Sequence, residues 1–333
     1  MILHWYNAIG RKPVKGYIIC KEKAHLDNFN DDILKHNMGD INDISEKFLY
    51  ASLHKYQDEK VDFLILDEAH AITNKRMQQL HNILKPNTVV ILLTATVEGN
   101  KRNMLYSLFG NFYEYHISIN KAIVMGLLSK PKIYIHRLTM DPELQLEYDK
   151  INNLVESEKE LLKDPTIPGG SLLNLKRYGL ERKNIMAEAK TEIAKGIMEL
   201  WFSDSKFICF TPSKPIAEHL AYSWNPKQHN YVHSDNHHKY NAELRKKFNT
   251  GEIDNLFVVK MFRESMNLQG IEKGLIIQLE NAKLSFIQML GRVFRSDYPE
   301  MHLIVWRDTK DEQLLNKVMR GFNKNYLINV EYD

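Results

Sequence analysis

The sequence predicts two α/β units in tandem, each a parallel sheet flanked by helices, with a helical segment inserted between them. Two observations carry this expectation. Short β-rich apolar runs alternate with helical stretches along most of the chain, the order that builds strand–helix–strand architecture. The alternation is interrupted once, between residues 141 and 200, by helical periodicity without strands. At 333 residues the chain is long enough for two cores of ordinary size.

In the first half the strand-like runs fall at 16–20, 48–51, 63–66, 89–93 and 133–136. The second half repeats the pattern at 207–210, 231–233, 256–259, 275–279 and 303–306. Between them Leu144, Tyr148, Ile151 and Val155 recur at helical spacing, with charge on the other faces. Pro165, Pro168, Gly169 and Gly170 then break the chain as a mobile loop, and Ile185, Ala189, Ile193 and Ile197 suggest a second helix. The expected domains are therefore 1–140, 141–200 and 201–333. The middle segment suits either a connector or a packing element of the second domain.

Composition narrows the class. Hydrophobic residues make up 44% and charged residues 26%, the balance of a soluble globular protein. No stretch approaches the ~20 apolar residues that span a bilayer. Met-Ile-Leu-His-Trp-Tyr lacks a basic leader and a small-residue cleavage site, so secretion is not expected. Cys20 and Cys209 are the two cysteines, too few for a disulfide framework or a four-ligand zinc site. Both lie in apolar runs, which suits buried thiols in a reducing cytoplasm. A net charge of +3 permits nucleic-acid binding without arguing for it.

The strongest chemical signal is Phe63-Leu64-Ile65-Leu66-Asp67-Glu68-Ala69-His70. Four apolar residues make a buried strand, and two carboxylates follow where its C-terminal end meets a loop. That edge of a parallel sheet is where ligands bind. One carboxylate there can hold Mg²⁺ through water while the next orients and deprotonates an attacking water. The same pair could also begin a solvated helix. Leu93-Thr94-Ala95-Thr96 ends another apolar run, with hydroxyls suited to bonding the carboxylates or to capping a helix. Near the C-terminus, Gln288-Met289-Leu290-Gly291-Arg292-Val293-Phe294-Arg295 sets two arginines three apart on one helical face. Guanidinium groups suit the dispersed charge of a transferring phosphoryl group, and equally a salt-bridged surface helix.

Taken in order, Asp-Glu-Ala-His, Thr-Ala-Thr and Gln-x-x-Gly-Arg-x-x-Arg resemble motifs II, III and VI of superfamily 2 helicases, over nearly the whole chain. Residues 207–213, Phe-Ile-Cys-Phe-Thr-Pro-Ser, resemble motif IV. Arg263-Glu264-Ser265-Met266-Asn267-Leu268 resembles motif V, and Ile19-Cys20-Lys21-Glu22-Lys23 resembles motif Ia. Leu49-Tyr50-Ala51-Ser52 is similar to the next strand-end contact. In its motif Ia and motif V regions the chain resembles phage-type Asp-Glu-Ala-His helicases and chromatin-remodelling translocases, which implies a bacterial or phage-infected host cytoplasm.

The resemblance implies two tandem RecA-like domains and an ATP-dependent DNA helicase or double-strand translocase acting in replication, recombination or repair. Asp67 would bind Mg²⁺ through water and Glu68 would be the catalytic base. His70 and Gln288 would couple the nucleotide site to the interdomain cleft, and Arg292 and Arg295 would reach the phosphates of ATP. Thr94, Thr96, Glu264 and Asn267 would complete the nucleotide side. Lys21, Ser52, Thr211, Ser213 and Lys260 would grip a nucleic-acid backbone without sequence specificity, DNA being expected over RNA. Replication or recombination proteins are the implied protein partners, and no membrane is involved.

The chain also departs from the pattern. The phosphate-binding Gly-x-Gly-Lys-Ser/Thr is absent from the sequence, and residues 2–9 look like the helix that this loop would cap. Weak or no ATP hydrolysis is therefore expected of the chain as it stands, and a non-catalytic nucleic-acid-binding relative or partner subunit is the rival reading. Ser265 stands where Gly is usual, and Met289 where related proteins often carry Arg. The stretch 233–238, His-Ser-Asp-Asn-His-His, reads as a solvated turn or a metal site, and 239–248 as an amphipathic helix with Leu244 and Phe248 apolar.

Overall fold

The computed structural model describes all residues except 1–5, 7, 38, 58, 95–98, 164–170, 229, 234, 260–267, 281–282 and 333. Chain contacts divide it into two compact units, Met1–His116 and Ile117–Asp333.

The first unit is built on a four-stranded sheet. It runs β1 (Gly16–Cys20), α1 (Lys23–Lys35), α2 (Gly39–Asp43), β2 (Ser45–Leu49), β3 (Val61–Asp67), α3 (Asn74–Ile83), β4 (Leu84–Leu93) and α4 (Gly99–Phe109). The strand order is β2-β1-β3-β4 and every pairing is parallel. Because side chains alternate across a strand, the buried runs feed two cores. Tyr17, Ile19, Leu64 and Leu66 face one that includes Leu80, Ile83 and Leu105 from α3 and α4. Ile18, Cys20, Phe63 and Ile65 face the other, covered by Ile33 of α1. Near-continuous apolar strands are what a sheet covered on both faces requires.

The second unit carries α5 (Ile119–Val124), β5 (Lys132–Leu138), α6 (Pro142–Lys163), α7 (Leu172–Glu188), α8 (Thr191–Trp201), β6 (Phe207–Thr211), α9 (Lys214–Trp224), β7 (Tyr231–Val232), α10 (His238–Thr250), β8 (Asn255–Val259), β9 (Lys273–Ile276), α11 (Lys283–Val293), β10 (Glu300–Trp306), α12 (Lys310–Val318) and β11 (Leu327–Glu331). Its seven-stranded sheet has the order β11-β5-β10-β9-β6-β8-β7, again all parallel. One face packs against α10, α11 and α12 through Phe248, Leu290 and Leu315, among others. The other packs against α6 to α9 through Tyr148, Met186, Ile197 and Leu220. Two parallel sheets flanked by helices are thus present, as the sequence predicts, with the long helix α6 in the segment that interrupts the strands.

Three particulars differ from expectation. The run 133–136, grouped by sequence with the first sheet, pairs along its length with β10 and belongs to the second. The chain before it is already anchored there, since the Ser129 amide donates to the Phe294 carbonyl at 3.1 Å. The edge strand β11 has no counterpart in the sequence reading. The periodic set Ile185, Ala189, Ile193 and Ile197 is not one helix, because α7 ends at Glu188 and α8 starts at Thr191. The interruption falls at Lys190, whose ammonium is drawn into the protein to meet Asp311, Gln278 and the Ile304 carbonyl. Of the two readings of the middle segment, α8 and the end of α7 pack in the second unit's core. No helix among the described residues is long and apolar enough to cross a membrane.

Candidate functional site

The Asp-Glu-Ala-His segment lies where the sheet opens. Strand β3 is flanked by β1 and β4, its last residue is Asp67, and the backbone then turns sharply. Glu68 takes up φ 50°, ψ 50°, the left-handed region that costs an L side chain roughly 1–2 kcal/mol. Ala69–Ala71 follow as a single 3-10 turn, closed by the Ala71 amide on the Glu68 carbonyl at 2.8 Å. Such strain persists where surrounding structure over-determines it, and it gathers at functional sites.

Both carboxylates are held by histidines. Asp67 Oδ2 lies 2.9 Å from His25 Nδ1, with the His25 side chain 9% exposed and that of Asp67 21%. Glu68 Oε2 lies 3.1 Å from His70 Nδ1. The same His70 nitrogen is 3.3 Å from the hydroxyl of Thr94, at the end of β4. An ionised carboxylate only accepts, so His25 Nδ1 carries a proton where it meets Asp67, whereas Glu68 and His70 meet at ion-pair distance without hydrogen-bond geometry. The Tyr50 hydroxyl donates to the Asp67 carbonyl at 3.0 Å. Burial, and then the Asp67 charge, pushes the Cys20 thiol up to about 12 and raises the Tyr50 phenol well above its ordinary value. Neither offers a competing anion beside Asp67.

Asp67, Glu68, His70 and Thr94, named from the sequence, are therefore gathered within one unit. Thr96, Glu264, Asn267 and Lys260 lie outside the described residues. Lys21 follows β1 directly and is half-buried, and Ser52 is half-buried in the 3-10 turn Tyr50–Lys55. His25 and Tyr50 escaped the sequence reading as members of the acidic site. The signal for His25 was topological, since β1 lies beside β3 and the first turns of the helix that follows β1 must pass near the end of β3.

In the second unit Ser213 caps α9 and is half-buried, with no side-chain bond to the helix amides. It lines a groove of about 450 Å³ with Asn184, Glu188, Thr191, Glu192 and His219. Thr211 is different. It is fully buried, and its hydroxyl donates to the Val258 carbonyl at 3.3 Å, so the sheet uses the group that the sequence reading assigned to a phosphate. Gln288 and Arg292 are half-buried on α11. Arg295 is exposed and lies two residues beyond the helix end, so the two arginines do not share a helical face. The chain turns there because Phe294 is buried and its carbonyl is taken by the Ser129 amide. Met289 is 1% exposed, packed in the core, a position where an arginine's charge would be buried. His233, in the His-rich turn, accepts from the Asp235 amide at 3.1 Å and faces Glu218 at 3.5 Å.

Residues 190–297 match the family model of the helicase conserved C-terminal domain. Among solved structures, S. cerevisiae Dbp5 bound to RNA and ADP BeF3 is similar with a TM-score of 0.59 and 14% identity, covering 95% of this chain and 77% of that one. The Pyrococcus furiosus Hef helicase domain gives a TM-score of 0.56 at 14% identity, covering 94% and 90%. Mss116p bound to ssRNA and AMP-PNP gives 0.56 at 14%, covering 96% and 64%. No curated protein sequence matches the chain. The fold is that of tandem RecA-like helicase domains. The second unit thus contains a match to the helicase conserved C-terminal domain, within a fold similar to that of solved helicases.

Proposed function

We propose that the chain is the body of a nucleic-acid-dependent ATPase of the helicase or translocase type, with DNA as its track. In this reading Asp67 holds Mg²⁺ through water and Glu68 orients and deprotonates the attacking water. The observation that carries it is the contact chain from Glu68 through His70 to Thr94. It fixes a strained carboxylate at the C-terminal edge of the sheet and ties it to the end of the neighbouring strand.

The donor set fits the metal. Asp67 and Glu68 offer hard oxygens of the kind Mg²⁺ takes, and a partly exposed carboxylate leaves room for the waters that Mg²⁺ keeps. Among the described residues no group of three His, Cys, Asp or Glu could hold an ion, so in this proposal the ion would rest on one carboxylate and its own waters. Bound Mg²⁺ would neutralise charge on the phosphate oxygens. His70 keeps the Glu68 carboxylate in place, Thr94 steadies His70, and His25 holds Asp67. Within the same proposal Arg292 and Arg295 are assigned to the phosphates, and Gln288 to coupling with the nucleotide site. Lys21, Ser52 and Ser213 are its backbone contacts.

The test is nucleic-acid-stimulated ATP hydrolysis by this chain and by the same chain extended through any upstream in-frame Gly-Lys-Ser/Thr. Hydrolysis in the extended form that Glu68→Gln abolishes is the expected result. Silence in both forms, with salt-sensitive nucleic-acid binding retained, would establish the rival: a non-catalytic binding module or partner subunit. An RNA track is the second reading, favoured by the RNA bound to Dbp5 and Mss116p. Strand displacement on matched DNA and RNA duplexes separates the two.

A further inference from the structure

We infer that His25 is a positioning residue for the metal-binding carboxylate, fixing Asp67 so that one of its oxygens stays available to a hydrated divalent cation. This deepens the proposed function and rests on its assignment of Asp67 to the metal. His25 sits in the first turn of α1 and is buried, whereas the carboxylate it holds is partly open to solvent. Its Nδ1–H fills Oδ2 at 2.9 Å. Among the described residues no other hydrogen bond reaches the carboxylate, so Oδ1 is left for water or a hydrated ion. The backbone at the same residue is held independently by the Tyr50 hydroxyl on the Asp67 carbonyl. Main chain and side chain are thus pinned from two elements.

A free aspartate side chain rotates about two bonds, and an ion that keeps most of its waters binds poorly to a carboxylate that must first be ordered. A buried imidazole removes that freedom before the ion arrives. Partners that hydrogen-bond a metal-binding group in this way typically change metal affinity about 10- to 100-fold when removed. His25 touches neither nucleotide nor reacting water in this role. It acts through Asp67.

Mn²⁺ serves as the probe, titrated against the full chain in the absence of nucleotide and followed by the electron paramagnetic resonance signal of the free ion. The wild-type chain should bind one Mn²⁺ that Asp67→Asn removes. His25→Ala should weaken that binding about 10-fold at a temperature where the variant is fully folded. His25→Gln, whose amide can still donate, should recover most of the loss. If His25→Ala does not fold, His25→Phe keeps a ring of similar volume without the N–H and makes the same comparison. Equal Mn²⁺ affinity in wild type and the folded His25 variant overturns the positioning role and leaves the metal assignment standing. Wild-type binding that Asp67→Asn does not alter, or no binding at all, overturns both.

Discussion

Lys190 and Asp311 form an ion pair that solvent does not reach, with neither side chain exposed. The ammonium also donates to the Ile304 carbonyl at 2.9 Å and to Gln278 Oε1 at 3.2 Å. The carboxylate accepts from Gln278 Nε2 at 2.8 Å and from the Trp306 amide at 3.2 Å. Burial pulls the lysine's pKa down and Asp311 opposes it. Breaking such a pair strands a buried charge, at a cost of about 3–5 kcal/mol. Lys190→Met should therefore destabilise the second unit by that amount, and Lys190→Met with Asp311→Leu should recover part of it. Urea unfolding followed by tryptophan fluorescence reads both, helped by the Trp306 indole bonded to the Met186 carbonyl of α7. A loss under about 1 kcal/mol for the single variant would show that the pair is solvated.

The second unit should be sensitive to acid. His136 Nε2 and His302 Nδ1 are 2.8 Å apart on adjacent strands, and the Tyr332 hydroxyl closes the other side of His136. Burial pulls His136 down to about 4 and His302 to about 2, while an unfolded histidine titrates near 6.5. Their folded values lie below the unfolded one, so stability is complete above about pH 6.5. It is lost as pH falls toward about 4 for His136 and about 2 for His302. Within that window each histidine removes about 1.4 kcal/mol per pH unit. His302→Leu should halve the slope of stability against pH between pH 6 and 5. An unchanged slope would mean that water reaches the ring.

Glu68 should trade stability against chemistry. Its left-handed backbone costs a non-glycine residue on the order of 1 kcal/mol. Glu68→Gly should leave the first unit as stable or more stable, by up to about 1 kcal/mol, while removing the proposed base. A thermal melt of the full chain decides it, and a clear loss of stability would show that the Glu68–His70 contact outweighs the strain.

Two hydroxyls assigned alike by the sequence should separate. Thr211→Val should leave nucleic-acid affinity unchanged and cost about 1 kcal/mol of stability through the lost Val258 bond. Ser213→Ala should leave stability intact and weaken binding. Equal effects on binding in an electrophoretic or fluorescence titration would contradict the assignment of Ser213 to the phosphate contact.

Lys21, just past the end of β1, should report on phosphate contact through salt. Lys21→Ala should reduce the slope of log affinity against log salt by about 0.7–0.9. An unchanged slope would remove Lys21 from the contact set.

The central strands β1, β3, β6 and β8 were legible because each is a short, largely buried apolar run, and the acidic site because its carboxylates end such a run. Partnership was less legible. Periodicity identifies β5 as a strand but cannot say that its partner lies at Glu300–Trp306, since pairing is a long-range property. Strand β11 escaped because it is a half-exposed edge strand with a weak apolar pattern. The break between α7 and α8 was hidden because a lysine in a helical pattern reads as solvated, and only the fold brings Asp311 to it. Thr211 illustrates the same limit for function. A hydroxyl at a strand end suits a ligand or a neighbouring carbonyl equally, and only the fold brings the Val258 carbonyl of β8 to it.

The order of the larger sheet has a practical bearing on how the protein can be dissected. Strands β10, β5 and β11 lie side by side at one flank of that sheet, and all three fall outside the segment 190–297 that matches the helicase C-terminal family. A fragment excised at residue 200 would lose β5, leaving β10 and β11 with no strand between them. A fragment limited to 190–297 would end on β9 with its ladder groups open, a template for strand addition and aggregation. A cut before Ile117 keeps the flank zipped shut, because the compact unit that contains the whole sheet begins some seventy residues earlier than the family boundary would suggest.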